Sequence, residues 1–82
     1  MIRVSVEFFA VARDLAGTDK ASFDLPDGAT TSLMMQLLAD RYPALRQMKN
    51  QLRLAVNCTY ASSSVVLRDR DEVAVIPPVS GG

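Results

Sequence analysis

The chain of 82 residues has no histidine, no tryptophan and a single cysteine. Without an imidazole, a Ser-His-Asp triad, a Cys-His pair and the usual histidine-based metal sites are excluded, so we predict no metal site. The one thiol, Cys58, cannot form an internal disulfide, and the sequence has no GxxxxGK[ST] loop for ATP. Catalysis by this chain alone is therefore not expected, and any nucleotide chemistry must be supplied by a partner.

The chain also lacks an excess of charge and any long apolar run. Nine basic residues offset nine acidic ones, so no overall field attracts nucleic acid or anionic lipid, and neither is an expected partner. No apolar run approaches the ~20 residues that span a bilayer, and the first residues lack a signal-peptide pattern. With 49% hydrophobic residues, the sequence predicts one globular domain in the cytoplasm.

Apolar residues recur at two spacings. Alternation of apolar and polar residues predicts strands. These strands are residues 2–8, 21–25, 53–57 and 73–76, with a shorter, less regular one within 59–66. Helical spacing of apolar residues from 33 to 42 predicts the main helix, which Thr30 or Thr31 caps and Pro43 ends. A short helical turn is predicted within residues 9–17.

This order of elements predicts an α+β fold, with a mixed sheet of four to five strands and one main helix on one face. The pattern fits either a β-grasp, which is the ubiquitin-like fold, or a small split-βαβ arrangement. A single long helix between two strand pairs favours the β-grasp. We expect the β-grasp domain at residues 1–76 and an extended C-terminal tail at residues 77–82.

The tail, PPVSGG, has the composition of a segment that enters a narrow channel. Pro77 and Pro78 have a fixed φ and no N–H, so they end the last strand and stiffen the base of the tail. Gly81 and Gly82 have no side chains, and six residues extend about 20 Å at ~3.3–3.6 Å each. We expect the carboxylate of Gly82 to be the reactive group. The residues predicted to thread into a partner are Pro77, Pro78, Val79, Ser80 and Gly81.

Several stretches of the sequence resemble one family in the same order. They are FFAVARDLAG, the Tyr-Pro pair that ends the main helix, LAVN, the L-x-D-x-DEV turn and the ending DEVAVIPPVSGG. Together they resemble the MoaD-like small subunits of molybdopterin synthase, within the MoaD/ThiS family of ubiquitin-like sulfur carriers. The resemblance covers essentially the whole chain.

The resemblance implies a non-catalytic sulfur donor within a sulfurtransferase complex. An E1-like (MoeB-like) enzyme would use ATP to adenylate Gly82, and a sulfurtransferase would supply the sulfur that converts the adenylate to a thiocarboxylate. The sulfur would then pass to a cyclic pyranopterin precursor in the large (MoaE-like) subunit, giving molybdopterin. The chain itself would bind no cofactor. The family implies a heterotetramer of two small and two large subunits.

Exposed side chains near the last strand are candidates for the partner interface. Val73 and Val75 are expected to face the helix, which places Ile76 on the opposite face. With Phe9 or Tyr60, Ile76 would form an apolar patch for the large subunit and the activating enzyme. Arg53 is a candidate for a salt bridge to a partner.

Two positions depart from the family pattern, and both concern turns. Arg70 stands where the family has glycine, so either this arginine adopts a positive φ at a cost of ~1–2 kcal/mol or the turn has another type. Asn57 and Cys58 replace a frequent Asn-Gly pair, which weakens the prediction of a tight hairpin. Cys58 has no histidine or adjacent basic residue to activate it, which favours a passive role.

Three alternatives remain open at this stage. A sulfur carrier for thiamine synthesis or tRNA thiolation would use the same terminal chemistry. A ubiquitin-like modifier would instead be joined to lysines through Gly82. A β-grasp interaction module with an inert tail is the third, because fold does not dictate function.

Overall fold

A computed structural model describes residues 1–78 of the chain. Five strands and three helical segments follow one another in these residues. The strands are β1 (Ile2–Phe8), β2 (Lys20–Leu25), β3 (Arg53–Val56), β4 (Thr59–Ala61) and β5 (Glu72–Ile76). The helices are α1 (Ala10–Ala16) and α2 (Thr31–Arg41), followed by a 3₁₀ helix (Pro43–Met48).

The strands form one mixed sheet in the order β2-β1-β5-β3-β4. β1 pairs antiparallel with β2 and parallel with β5, whereas β3 pairs antiparallel with both β5 and β4. The last strand in sequence is thus the central strand of the sheet. Together with the single main helix, this topology is that of a β-grasp and confirms the expected fold over the split-βαβ alternative.

The core lies between one face of the sheet and the helices. Alternation places every second residue of β1 and β5 on this face, where α2 contributes Met34 and Leu38, both fully buried. The strand residues in the same cluster are Val4, Val6, Phe8, Phe23, Leu25, Leu54, Val73 and Val75. Among residues 1–78, no helix is long and apolar enough to cross a membrane.

Both ends of α2 are fixed by the residues that the sequence indicated. The hydroxyl of Thr30 accepts a hydrogen bond from the Leu33 N–H at 3.3 Å, so Thr30 is the cap, while Thr31 is buried. At the other end, Tyr42 leaves helical geometry before Pro43. The Tyr42 ring packs edge-on against Phe8, with 5.2 Å between the ring centroids, which attaches the end of the helix to β1.

The turn before β5 contains a strained residue. Arg70 has φ 70°, a conformation that costs most side chains about 1–2 kcal/mol. Hydrogen bonds hold it there, because the Arg70 N–H donates to the Arg3 carbonyl at 2.7 Å and the Arg3 N–H donates to Asp69 Oδ1 at 2.8 Å. The Asp71 N–H also donates to the Arg68 carbonyl at 3.1 Å, which closes the turn. The arginine therefore keeps the backbone geometry that glycine would adopt freely.

Replacing Arg70 tests this strain. We expect Arg70→Gly to raise the free energy of unfolding by about 1 kcal/mol, because glycine adopts positive φ without steric cost, partly offset by its greater freedom when unfolded. Arg70→Val should lower it, since a β-branched residue fits this region poorly. Urea unfolding measures both changes. The control in the opposite direction is Gly28→Ala. Gly28 has φ 84° and open space around it, so any loss of stability on adding a Cβ there comes from the backbone conformation. A destabilised Arg70→Gly protein would show that the arginine side chain outweighs the strain.

Candidate functional site

The candidate site begins where β5 ends, at the centre of the sheet. Ile76 is opposite Arg53 of β3, and the carbonyl of Val75 accepts a hydrogen bond from the Phe9 N–H at 3.2 Å on the other side. Backbone pairing thus holds β5 on both edges up to its last residues. Pro77 and Pro78 follow and offer no N–H, so regular pairing stops there. The tail therefore follows directly on the central strand of the sheet, which is paired on both edges.

A hollow of about 320 Å³ lies beside this exit. We call it the tail hollow, and its lining residues are Arg53, Tyr60, Ile76, Pro77 and Pro78. Tyr60 is 64% exposed, a large fraction for an aromatic side chain, and Ile76 is half-buried. The hollow thus combines an aromatic ring, an aliphatic side chain and two proline rings with one guanidinium. Its composition is that of a surface that binds another protein.

Strand pairing explains why these distant residues meet. β3 places Arg53 opposite Ile76. The β3–β4 hairpin brings Tyr60 opposite Ala55, which is two residues further along β3 and therefore on the same face of the sheet as Arg53. Three of the four predicted interface residues therefore line one hollow. Their role in binding stays a prediction.

Phe9, the fourth, lies outside the tail hollow. It is 43% exposed and lines a separate hollow of about 490 Å³ on the β1 side of β5, together with Glu7, Lys20 and Ala74. Of the two residues predicted to join Ile76 in one patch, Tyr60 lines the same hollow as Ile76, whereas Phe9 lines the neighbouring hollow. The two hollows lie side by side on the same face of the sheet.

The hairpin between β3 and β4 is tight despite its sequence. Asn57 (φ 51°) and Cys58 (φ 71°) form a two-residue loop, both in the left-handed conformation that a type I′ turn requires. The Asn57 side chain accepts from the Glu72 N–H at 3.0 Å and donates to Asp71 Oδ1 at 2.9 Å. These bonds tie the hairpin to the start of β5. Sequence reasoning missed this role, although asparagine is the residue that best tolerates such a conformation after glycine.

Charged side chains on the opposite edge of the sheet are paired. The Arg3 Nε donates to Asp24 Oδ1 at 2.8 Å across the β1–β2 pair. This hydrogen bond, together with the positive charge of Arg3, holds the pKa of Asp24 below its usual range. Within residues 1–78, no group of three or more histidine, cysteine, aspartate or glutamate side chains is placed to bind a metal ion.

The tail residues Val79, Ser80, Gly81 and Gly82 lie outside the described residues. Their predicted threading, and the predicted reactivity of Gly82, therefore stay predictions, as does the division of the chain after residue 76. What the described part of the chain contributes to the site is a rigid exit and an apolar surface beside it.

Comparisons with known proteins find similarity over nearly the whole chain. The ThiS family model matches residues 6–82. The chain is similar to a molybdopterin synthase sulfur carrier subunit of Arabidopsis thaliana, with 36% identity over 81 residues that cover 99% of this chain and 84% of that protein.

Two solved structures are also similar. A proposed molybdopterin converting factor, subunit 1, from Pyrococcus furiosus is 31% identical, with a TM-score of 0.88 over 96% of this chain and 100% of that one. The small archaeal modifier protein 1 of Methanosarcina acetivorans is 28% identical, with a TM-score of 0.83 over 100% of this chain and 98% of that one. The first of these proteins is named as a molybdopterin converting factor subunit, and the second as a protein modifier.

Substitutions of Cys58 test whether its thiol is passive. We expect Cys58→Gly to stabilise the fold by about 1 kcal/mol in urea unfolding, because glycine relieves the positive φ, whereas Cys58→Ala removes the thiol but keeps the strain. Formation of the C-terminal thiocarboxylate that the family resemblance implies should be unchanged in both variants. If Cys58→Ala folds normally but no longer acquires sulfur, the thiol takes part in the chemistry.

Proposed function

The chain belongs to the ThiS family, and from that premise we propose that it is the sulfur carrier subunit of a molybdopterin synthase. The observation that carries this proposal is the end-to-end similarity to a molybdopterin synthase sulfur carrier subunit. The family match also extends through Gly82, the residue on which such a role depends. The central position of β5 supports the proposal, because it gives the tail a fixed point of departure.

The chemistry proposed for the tail begins at the carboxylate of Gly82. An E1-like enzyme binds ATP, the carboxylate attacks the α-phosphate, and pyrophosphate leaves. Sulfur delivered by a sulfurtransferase at the oxidation level of sulfide then bonds to the carbonyl carbon of Gly82, displaces AMP and gives the thiocarboxylate. An ionised thioacid is a soft nucleophile, and its sulfur bonds to a carbon of the cyclic pyranopterin precursor to form a thioester. Water then cleaves the bond between sulfur and the Gly82 carbonyl carbon, which leaves the sulfur on the pterin on the way to molybdopterin and regenerates the carboxylate of Gly82. ATP and the pterin are substrates of the partners, not groups held by this chain.

The folded part of the chain contributes position. Fixing a free backbone costs about 1–2 kcal/mol per residue, and two prolines at the base of the tail reduce that cost before the partner is met. The hydrogen bonds of β5 leave little freedom at Ile76, so the tail starts from one place and in one direction. Orientation of this kind is a large part of what a carrier supplies to the reaction.

The tail hollow is the proposed contact for the large subunit, and Phe9 extends it across β5. Tyr60 and Ile76 supply apolar area at the centre, and Arg53 supplies a charge that remains accessible at the edge. Interfaces commonly derive most of their affinity from a few such residues. The same surface would meet the activating enzyme, so the two partners would bind in turn and not together. We propose the heterotetramer of the family as the assembled form.

A second function, attachment to other proteins, is favoured by one observation. The small archaeal modifier protein 1 of Methanosarcina acetivorans has this fold and is 28% identical over the whole chain. A modifier would use the same adenylate, but a lysine amine would displace AMP and form an isopeptide bond. Conjugates detected in cell extracts through a tagged chain would support this function, and their absence beside a detectable thiocarboxylate would favour the carrier.

Deletion of Gly82 tests the reactive terminus. The shortened protein should acquire no sulfur and support no molybdopterin synthesis, while its Tm stays within about one degree, because the core and the sheet pairings lie in residues 1–78. Intact-mass measurement after incubation with an E1-like enzyme, ATP and a sulfur donor detects the exchange of oxygen for sulfur. Ser62→Ala, a change of an exposed loop residue, is the control. A shortened protein that still supports synthesis would overturn the proposal.

Truncation of the tail-hollow side chains tests the docking surface. We expect Tyr60→Ala and Ile76→Ala each to weaken binding to the cognate large subunit by about tenfold or more, as at other interface centres. Val66→Ala is the matched control, since Val66 is an apolar residue, 55% exposed, that does not line the tail hollow. Isothermal titration calorimetry gives the dissociation constants. Equal dissociation constants for all three variants would show that the tail hollow is not part of the interface.

A further inference from the structure

The net charge of zero conceals a separation of charge along the chain. Residues 41–68 contain five basic residues and no acidic one, whereas residues 1–40 contain three basic and six acidic residues. Neither the tail chemistry nor the apolar tail hollow requires this separation. A single patch of one sign on a protein without net charge is suited to local recognition instead of general attraction.

The fold gathers three of these basic residues into a continuous surface, which we call the basic ridge and define as Arg46, Lys49 and Arg53. Arg46 and Lys49 line one shallow depression at the 3₁₀ helix, and Lys49 and Arg53 line the groove next to it. Arg53 in turn lines the tail hollow. The ridge therefore runs from the 3₁₀ helix directly to the place where the tail leaves the sheet.

Little negative charge offsets the ridge. All three basic residues are exposed, and Arg46 forms an ion pair with Asp40 at 3.3 Å. Among residues 1–78, Asp40 is the one acidic residue that lines the three depressions. Arg3, on the opposite edge of the sheet, is likewise paired with the carboxylate of Asp24. On the ridge, Lys49 and Arg53 form no ion pair with another group of residues 1–78, so their positive charge stays available to a partner.

We propose that the basic ridge is an electrostatic docking surface for an acidic patch on the large subunit, next to the channel that receives the tail. This inference rests on the proposed function. Charges at the rim of an interface act mainly on the association rate and its salt dependence, because they orient the two proteins before the apolar contacts form. Since Arg53 is opposite Ile76 in the sheet, attraction at the ridge would bring the tail exit to the partner in the correct orientation.

A protein partner fits the ridge better than a nucleic acid. Nucleic-acid binding at physiological salt draws on many phosphate contacts, of the order of 6–10 in typical cases, and the ridge offers three cations. The ridge also ends beside the tyrosine, isoleucine and prolines of the tail hollow, which would meet an apolar protein surface. The charged and apolar parts together have the arrangement of a protein interface with a polar rim.

The double variant Arg46→Gln/Lys49→Gln tests the ridge while leaving Arg53 and the tail hollow intact. We expect its association rate constant with the cognate large subunit to fall about tenfold at 50 mM NaCl and to approach that of the unaltered protein at 500 mM NaCl, where charges are screened. The dissociation rate constant should change little. Stopped-flow fluorescence with labelled large subunit measures both, and the Tm verifies that the variant is folded.

The charge-matched control is Arg68→Gln/Arg70→Gln, in the turn at the opposite end of β5, about 16 Å of strand from the tail exit. This control should keep the association rate and salt dependence of the unaltered protein. Equal association rate constants for the ridge variant, the control and the unaltered protein would overturn the proposed docking role of the ridge, while the proposed function would still stand. Failure of the unaltered protein to bind the large subunit at any salt concentration would contradict the proposed function itself.

Fluorescence anisotropy with a labelled 30-nucleotide RNA and a labelled DNA duplex at 50 mM NaCl tests whether the basic ridge binds nucleic acid instead of a protein. We expect no binding by the unaltered protein. Nucleic-acid binding that the ridge variant loses and the control keeps would assign the ridge to nucleic acid and overturn the protein-docking proposal.

Discussion

The central constraint of this structure is the pairing of β5 on both of its edges. β5 is the last strand in sequence, yet it lies between β1 and β3, with parallel pairing on one side and antiparallel pairing on the other. Its alternate residues, Val73 and Val75, are fully buried beneath the helices. A segment that follows directly on such a strand starts from a fixed point, and the prolines prevent the sheet from continuing into it. The proposed sulfur chemistry, the tail hollow and the basic ridge all depend on that fixed point.

The turns that introduce β5 and its neighbour contain residues in unfavourable conformations. Asn57, Cys58 and Arg70 all have positive φ without being glycine. The Asn57 side chain bonds to Asp71 and to the backbone of Glu72, and the Arg70 N–H bonds to the carbonyl of Arg3. Tertiary hydrogen bonds thus compensate for local strain at the end of the sheet opposite the tail. These turns therefore lie at the start of β5, whereas the tail follows its end.

The sequence predicts the elements of this fold well where burial imposes a period. Alternation identified β1 and β5 because one face of each lies against the helices, and Pro43 marked the end of α2 because the residue before proline avoids helical geometry. The conformation of Arg70 was not predictable, since it depends on a carbonyl of β1, 67 residues earlier in the sequence. The contact of Arg53 with Ile76 was likewise hidden, because it requires the order of the strands. The sequence grouped Ile76 with Phe9 or Tyr60, but the strand order alone places Tyr60 and Arg53 in the hollow of Ile76 and Phe9 in the neighbouring one.

The parallel pairing of β1 with β5 joins the first strand of the sheet to the last. Contacts between segments so far apart in sequence form late and depend on the whole intervening chain. A polypeptide interrupted before residue 72 would lack the strand that connects the β1–β2 hairpin to the β3–β4 hairpin. Incomplete synthesis or proteolysis before residue 72 would then leave a chain that cannot close the sheet. In this architecture, nearly the whole polypeptide must be present before its two halves can join.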